Sequence, residues 1–311
     1  MDDISNIKYS IIIPHYNSPK SLEKLLSSIP IQENIQIIVI DDHSSKDTDE
    51  LDILIEINKH VSFYQNDGLK NAGTARNIGL KHARGKWVFF ADADDFFTAE
   101  FINYADKFYH SDYEVVFFSP ISIYVSASLI SARHLPYEYA VKKYLRNPNH
   151  RNELILKYRY CSPWSKMIRR KYLEQHRIDF EAVEVANDVL FSTKLSYYLT
   201  SFSLWDQPIY CITEGHGTLS TETNKERFLI RRDVFLRRCT FLIKHLPRSD
   251  WKLIKLSGKS QLITSLTKGG GINTLFETYK LLKKHQIRIA ALEIYDFTYL
   301  CNVLRNKNRR I

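Results

Sequence analysis

The stretch KWVFFADADDFF, residues 86–97, predicts a buried strand that ends in a cluster of carboxylates. Its first half is aromatic and β-branched and contains no Gly or Pro, which is typical of a strand covered on both faces. Asp92, Asp94 and Asp95 then follow within four residues. Burying even a neutral polar group without a partner costs roughly 2–7 kcal/mol, so we expect these carboxylates in a loop at the strand's end.

An Asp-x-Asp pair in such a loop suits a divalent cation. Carboxylate oxygens are ligands that Mg²⁺ and Mn²⁺ prefer, and a cation held in this way also binds phosphate oxygens. Asp92 and Asp94 therefore indicate a metal site that takes a phosphorylated substrate. The alternative for an isolated pair is a solvated turn, and the surrounding sequence has to decide between the two.

Length and composition indicate a globular protein. A chain of 311 residues can form one large α/β domain plus an appendage, and 44% hydrophobic and 25% charged residues are ordinary values.

The first apolar run is short, so we expect no signal peptide. The uncharged stretch 115–132 contains Pro120 and several Ser, which favours a core strand and loop over a membrane span. Four cysteines without a CxxC pair fit a reduced, cytoplasmic protein.

Charge is distributed unevenly along the chain. Residues 225–311 contain 20 Lys and Arg against 6 Asp and Glu, a net charge of +14, whereas the preceding 224 residues contain 24 against 29. A basic segment of this kind favours a polyanionic partner, either an anionic lipid surface or a nucleic acid. No RNP, zinc-knuckle or helix-turn-helix signature is present, so we expect no nucleic acid.

Strands and helices alternate along the first hundred residues. Short apolar strands are predicted to begin at Tyr9, Ile35, Val61 and Lys86, with helices between them. This pattern predicts a parallel sheet with right-handed crossovers, whose ligand crevice lies at the carboxyl ends of the strands. Neither GxGxxG nor GxxxxGK[ST] occurs, which argues against a dinucleotide dehydrogenase and a P-loop ATPase.

Seven motifs in order resemble the family 2 glycosyltransferases of GT-A fold. They are SIIIPHYN (10–17), VIDDHS (39–44), NAGTARNIG (71–79), ADADD (91–95) and, more weakly, CSPWSKMIRRKYL (161–173), EVANDVLF (184–191) and HGTLS (216–220). The resemblance implies an α/β fold with a Rossmann-like, mostly parallel sheet flanked by helices and a C-terminal helical extension. It also implies a catalytic domain at 1–224, with a nucleotide-binding half at about 1–110 and an acceptor half at about 111–224, followed by the basic region 225–311.

The resemblance also assigns the donor side of the site. Asp94 would ligate Mn²⁺ or Mg²⁺, Asp92 would contact the ribose or the metal's ligand shell, and His216 would bind diphosphate or complete that shell. The alternatives are a helix N-cap for Asp95 and a structural role for His216. The nucleotide pocket would be formed by Pro14, Tyr16, Asn17, Asp42 and Arg76, with Asp42 accepting the uracil N–H, Tyr16 against the base and Arg76 on the third loop.

On the acceptor side, Asp188 matches the family's catalytic base and Trp164 would form part of the acceptor floor. The family usually has Glu before this Asp, whereas this chain has Asn187. The alternative for Asp188 is the N-cap of a helix that begins at Val189. One base without a paired nucleophile implies inversion, since a retaining enzyme needs two carboxylates about 5–5.5 Å apart.

The basic C-terminal region is predicted to be helical, at Lys225–Leu246, Ser249–Lys268, Ile272–His285 and Ile287–Arg305. Arginines at 231, 232, 237 and 238 interleave with aromatic residues in the first helix, which favours a peripheral site on the inner face of the cytoplasmic membrane. The alternative is a helical cap on the catalytic domain. The sequence gives no indication of oligomeric state.

Together these features predict an inverting, metal-dependent glycosyltransferase. Its donor would be a nucleotide sugar, UDP-hexose or UDP-N-acetylhexosamine, and its acceptor a glycan hydroxyl, as on a lipid-linked intermediate of a bacterial surface polysaccharide. The alternatives are a sugar nucleotidyltransferase, which usually has a Gly-rich phosphate loop that residues 10–17 lack, and a non-catalytic module that docks on membranes or nucleic acid.

Overall fold

The computed structural model, which describes residues 6–125, 129–215, 224–254 and 256–289, contains the four predicted strands. The chain divides into two compact units, 1–218 and 219–311. The strands of the first unit are β1 Tyr9–His15, β2 Ile35–Asp41, β3 Val61–Gln65, β4 Trp87–Phe90, β5 Phe96–Phe97, β6 Val115–Phe118, β7 Ile121–Tyr124, β8 Lys166–Arg169, β9 Phe202–Trp205 and β10 Tyr210–Glu214.

Helices connect these strands and cover the sheet. They are α1 Pro19–Ser27, α2 Thr48–Ile57, α3 Ala72–His82, α4 Phe101–Asp106, α5 Leu135–Arg146, α6 His150–Arg159, α7 Arg170–His176 and α8 Asn187–Tyr198. Helix α3 begins directly after its N-cap residue Asn71, whose side chain accepts a hydrogen bond from the backbone N–H of Thr74 at 2.8 Å.

The main sheet has seven strands in the order β3-β2-β1-β4-β8-β6-β9. Strands β1 to β4 pair in parallel, as predicted, and their side chains are almost fully buried in β1, β2 and β4. The predicted core strand and loop at 115–132 is confirmed by β6 and β7. Strand β8 pairs antiparallel with both β4 and β6, so the sheet is mixed.

A second sheet was not predicted from the sequence. It has three strands in the order β5-β10-β7, and β10 pairs antiparallel with the two-residue strand β5 directly after the Asp92–Asp95 loop. A strand of two residues carries no periodic signal, which explains why it escaped prediction. The consequence is that β10 lies against the acidic loop.

In the second unit the described helices are α9 Lys225–His245, α10 Arg248–Leu253, α11 Lys259–Thr267 and α12 Ile272–Lys284. The prediction of one continuous helix over 249–268 is therefore wrong. The chain turns at Gly258, which lies so close to Leu282 that an added Cβ would approach Leu282 Cδ1 to 2.6 Å. Residues 287–289 are not helical, and 290–305 lie outside the described residues.

The arginine-rich helix α9 packs within its own unit. Leu236 and Cys239 of α9 form a buried cluster with Leu282 and Ile287. Arg232 is also buried and forms ion pairs with Asp233 and Glu277 at 3.1 and 3.2 Å. These contacts bury part of the apolar face of α9 within its own unit, and the membrane-binding role predicted for the helix remains a prediction.

Across the described ranges, no helix combines the length and the apolar character needed to cross a bilayer.

Candidate functional site

Two acidic loops lie at the carboxyl end of the parallel strands, one after β2 and one after β4. In the first, Asp41 is bound by local donors. Its Oδ1 lies 3.0 Å from Nδ1 of His15 and accepts from Ser44 Oγ at 2.5 Å, while Oδ2 accepts from the Ser44 backbone N–H at 3.1 Å. Asp41 therefore stabilises the turn.

Asp42 is held differently. It is 7% exposed, and both hydrogen bonds donated to its side chain by described residues fall on Oδ1, from Asn66 Nδ2 at 2.6 Å and Asn71 N at 3.1 Å. These bonds fix the orientation of the carboxylate while leaving Oδ2 available to a ligand. The placement agrees with the base-binding role predicted for Asp42, which remains a prediction.

The loop after β1 contributes Tyr16 and Asn17. Asn17 adopts a left-handed conformation with φ 49°, and its Oδ1 accepts from the backbone N–H groups of Ser45 and Lys46 at 2.8 and 3.0 Å. Asn17 thus joins the first loop to the second. Tyr16 is 42% exposed, and the Lys70 ammonium lies 3.8 Å from its ring centroid. The hydrogen bond from Lys70 lowers the pKa of the Tyr16 hydroxyl.

In the loop after β4, Asp95 is a buried structural residue. Its Oδ2 accepts from the Tyr210 hydroxyl at 2.8 Å and its Oδ1 from the Thr213 backbone N–H at 2.7 Å, both from β10. Burial, together with repulsion from Asp94 and Asp92, raises the pKa of Asp95 well above its ordinary value. Asp95 does not cap a helix, because β5 follows it and α4 begins after Glu100.

Asp94 is exposed in the same loop. The surrounding protein desolvates its carboxyl group and Asp92 repels it, so the pKa of Asp94 is raised. Two carboxylates that repel each other in an exposed loop are a donor set that a hard divalent cation would stabilise. Among the described residues, no group of three or more His, Cys, Asp or Glu is arranged as a metal site. His216, the further predicted ligand, lies outside them.

Arg76 connects the two halves of the site. It lies within α3, not on the loop before it, and its guanidinium is 2.5 Å from Asp92 Oδ1 and 2.8 Å from Asn187 Oδ1. Its Nε is buried without a hydrogen-bond partner. The side chain is therefore committed to the protein, and the structure does not place it as a free cation beside the nucleobase.

The rest of the NAGTARNIG motif fastens α3 to the segment before α8. Asn77 exchanges two hydrogen bonds with the backbone of Phe180, both at 2.9 Å. Gly73 approaches the same segment so closely that an added Cβ would lie 2.2 Å from the Glu181 carbonyl oxygen. These contacts place the first turn of α8 beside Arg76.

Asp188 is the second residue of α8 and is half-buried. It is not the N-cap, because that position is Ala186, which has a left-handed conformation with φ 61°. Burial and the negative charge of Asp92 raise the pKa of Asp188, while Arg76 and Lys166 oppose the rise. A carboxylate with a raised pKa beside a crevice is a candidate for proton transfer.

Lys166 was not identified from the sequence. It is 1% exposed at the start of β8, and its ammonium donates to the carbonyl oxygens of Tyr160, at 2.8 Å, and Ser162. Burial lowers its pKa to about 7, although the charge of Asp188 limits the fall. The available signal was a lysine directly before the apolar pair Met167 and Ile168.

Trp164, predicted to form the acceptor floor, lies in the core instead. It is 4% exposed, stacks on Tyr210 with ring centroids 5.8 Å apart, and meets Tyr137 edge-on at 4.8 Å. A ring covered in this way supports the site from behind and offers no face to a sugar. The packing was not predictable because its partners lie far along the chain.

The family model for glycosyl transferase family 2 matches residues 10–177, more than half of the chain. The poly(ribitol-phosphate) β-N-acetylglucosaminyltransferase TarS of Staphylococcus aureus is 29% identical over 226 residues, 68% of this chain and 36% of TarS. The UDP-Glc:α-D-GlcNAc-diphosphoundecaprenol β-1,3-glucosyltransferase WfaP of Escherichia coli is 33% identical over 124 residues, 39% of this chain and 48% of WfaP.

Solved structures show the same fold. TarS 1–349 in complex with UDP-GlcNAc has a TM-score of 0.64 at 19% identity, covering 90% of this chain and 80% of that one. The mannosyltransferase PcManGT of Pyrobaculum calidifontis, in complex with GDP-Man and Mn²⁺, has a TM-score of 0.55 at 15% identity, covering 92% and 84%. The predicted GT-A fold is confirmed. The chain spans less than half of the curated relatives it matches. Since the family model covers most of the sheet and both acidic loops, the chain belongs to glycosyltransferase family 2.

Proposed function

We propose that the protein transfers a sugar, with inversion, from a nucleoside diphosphate sugar to a hydroxyl group of a glycan acceptor. The observation that carries this proposal is the Arg76 bridge. One guanidinium binds Asp92 in the predicted donor loop and Asn187 at the start of the helix that carries Asp188. Donor-side and acceptor-side carboxylates are thereby held around one point, as a single displacement requires.

Asp94 would hold a divalent cation, Mn²⁺ or Mg²⁺, with the oxygens of Asp92 nearby. Such an ion, when bound, supplies positive charge to the departing diphosphate. The protein's contribution is to keep the two carboxylates fixed and close. The hydroxyl of Tyr210 accepts from the Asp92 backbone N–H at 2.8 Å, and Thr213 Oγ1 donates to the Asp94 carbonyl oxygen at 2.5 Å.

Asp188 would accept the proton of the attacking hydroxyl. Its raised pKa improves it as a base, because a carboxylate with a higher proton affinity draws the proton more strongly in the transition state. Asn187 offers Arg76 a neutral oxygen where the family usually has a carboxylate, so more of the guanidinium's charge remains for Asp92 and Asp188. This charge opposes the rise in the pKa of Asp188 that burial causes.

We propose UDP-hexose or UDP-N-acetylhexosamine as the donor, with the base near Tyr16 and its N–H bound by Asp42. The name of WfaP, and the solved complex of TarS with UDP-GlcNAc, support a uridine donor. WfaP's name also describes a diphosphoundecaprenol acceptor. On this basis we propose a lipid-linked glycan as the acceptor, and we propose the cytoplasmic face of a membrane as the place of the reaction.

The test is donor profiling with a matched base variant. The full chain is incubated with Mn²⁺, a panel of nucleotide sugars and a lipid-linked glycan, and both nucleotide release and labelled product are recorded. The variant Asp188→Asn preserves size, so transfer should fall by about 10²–10⁴ while UDP affinity is retained. Transfer by Asp188→Asn near the wild-type rate would exclude Asp188 as the base. Release of pyrophosphate from a nucleoside triphosphate and a sugar phosphate would indicate a nucleotidyltransferase instead.

A further inference from the structure

Strand β7 and the segment that returns beside it present apolar side chains to solvent. The large exposed residues are Ile121 at 38%, Tyr124 at 41%, Val125 at 55%, Leu129 at 64% and Ile130 at 80%. The polar residues of the same two segments point inward, with Ser122, Ser131 and His134 buried. This is the reverse of the usual pattern for a strand with one solvated face, and clustered exposed apolar residues mark an interaction site. We call residues 121–125 and 129–135 the inverted hairpin.

A buried polar cluster fixes this inverted arrangement. The Ser131 hydroxyl donates to Ser122 Oγ at 2.7 Å, and Ser122 Oγ lies 2.7 Å from Nδ1 of His134. The backbone N–H of Ser131 also donates to the Ser122 carbonyl oxygen at 2.9 Å. Turning the hairpin over would bury the apolar side chains only by breaking this cluster of hydrogen bonds. The outward apolar face is thus a built feature of the fold.

The returning segment covers the outer edge of β7. Tyr124 N–H donates to the Leu129 carbonyl oxygen at 2.8 Å, and Ile123 pairs with Ile130. A partner that adds a strand to an open β7 edge therefore finds its hydrogen-bonding groups occupied. The hairpin can therefore bind a partner only through its exposed apolar side chains. Such a surface fits the apolar interior of a bilayer better than the backbone of an added strand.

The helix that follows the hairpin is basic and interfacial in character. Helix α5 exposes Leu135 and Tyr139 at 49% and 54%. It carries Lys142, Lys143 and Arg146 against one acid, Glu138, which is already paired with Lys142 at 2.5 Å. Aliphatic residues with tyrosines and a surplus of cations are the composition that binds the headgroup region of an anionic bilayer.

The inverted hairpin is attached to the acidic loop through Thr213 of β10. Arg133 donates from Nη1 to the carbonyl oxygen of Thr213 at 3.2 Å, and Thr213 donates to Asp95 and to the backbone of Asp94. A surface bound by the hairpin would therefore lie beside the loop that carries Asp94. We propose that the inverted hairpin docks the protein on an anionic lipid bilayer. Docking itself does not depend on the proposed function. Only its purpose rests on the proposed function, because docking would bring a lipid-carried acceptor to the site.

The experiment is vesicle co-sedimentation of the full chain with phosphatidylcholine vesicles, with and without phosphatidylglycerol. The hairpin variant is Val125→Ser with Ile130→Ser. The matched control is Ile53→Ser with Ile57→Ser on α2, where the side chains are 59% and 64% exposed. Wild type and control should bind the anionic vesicles, and binding should weaken with salt. The affinity of the hairpin variant for anionic vesicles should be at least about tenfold lower. Each of the two substitutions removes an aliphatic side chain whose transfer from water into the bilayer is favourable.

Several results would overturn the proposal. They are no binding by wild type, equal binding by wild type and hairpin variant, or an equal loss in the α2 control. A loss confined to Ile272→Ser with Phe276→Ser would assign docking to α12, whose apolar residues at 272, 276 and 279 are also exposed. A change from dimer to monomer in light scattering, without a change in vesicle binding, would assign the hairpin to a second copy of the chain.

Nucleotide release with a water-soluble glycan is measured in parallel. It tests the proposed function without any lipid, so the two can fail separately.

Discussion

The loops after β2 and β4 each contain adjacent carboxylates, and each loop divides them in the same way. After β2, Asp41 is bound by His15 and Ser44, while Asp42 retains an oxygen for a ligand. After β4, Asp95 is bound by two donors from β10, while Asp94 is exposed. One carboxylate of each loop builds the loop and the other is free to act. The donors that surround a carboxylate, not its place in an acidic run, determine its role.

The strongest test of this division exchanges Asp94 and Asp95 for Ala separately. Asp94→Ala should lower transfer by at least about 10²-fold, because positive charge at the leaving group is lost, while stability changes by less than about 0.5 kcal/mol. Asp95→Ala should instead lower the free energy of unfolding by about 1–3 kcal/mol, since buried donors of Tyr210 and Thr213 lose their acceptor. Urea unfolding and transfer assays with Mn²⁺ distinguish the two. Full activity of Asp94→Ala in the presence of EDTA would exclude it as a metal ligand.

The β2 loop gives the second test. Asp42→Asn keeps the acceptor for Asn66 and Asn71 but removes the charge, so UDP binding should weaken by about 1.5–3 kcal/mol, the worth of a hydrogen bond to a charged group. Asp41→Asn should leave UDP affinity unchanged and affect stability alone. Calorimetry with UDP measures both. Equal affinity for wild type and Asp42→Asn would place the nucleobase elsewhere.

Local patterns were sufficient to predict the parallel strands and the acidic loop at the end of β4. These features depend on residues within one or two turns of each other. The Arg76–Asn187 hydrogen bond joins residues 111 positions apart, and no local period marks such a pair. The same limit applies to Trp164 and to the arginines of α9. Each has a composition that fits a binding surface, and only the packing of distant elements shows that Trp164 and Arg232 are buried.

Tyr210 tests how firmly β10 holds the second loop. Its hydroxyl donates to Asp95 and accepts from the Asp92 backbone N–H, so Tyr210→Phe should destabilise the fold by about 1–3 kcal/mol and reduce affinity for Mn²⁺. Tyr9→Phe is the matched control, because the Tyr9 hydroxyl bonds the surface residue Asp106 at 2.8 Å. It should lose stability without losing metal affinity. Combining Tyr210→Phe with Asp95→Ala should cost less than the sum of the two, since they break the same bond.

Lys166 extends the comparison from carboxylates to a cation held beside Asp188. Its pKa is about 7 in the folded protein, against 10.5 as its ordinary value. Between about pH 7 and pH 10.5, Lys166 is protonated in the unfolded chain and neutral in the folded protein. The free energy of unfolding therefore rises with pH in this window. The slope is at most about 1.4 kcal/mol per pH unit, and the contribution is lost as pH falls through about 7.

Lys166→Met should therefore lack this slope. Unfolding in urea, measured for both proteins between about pH 7 and about pH 9, should show a difference that grows with pH, because every other titrating group is common to the two and cancels. A constant difference across this range would mean that Lys166 stays protonated. The two carbonyl oxygens that it binds, and the nearby charge of Asp188, would then outweigh the cost of burying its ammonium group.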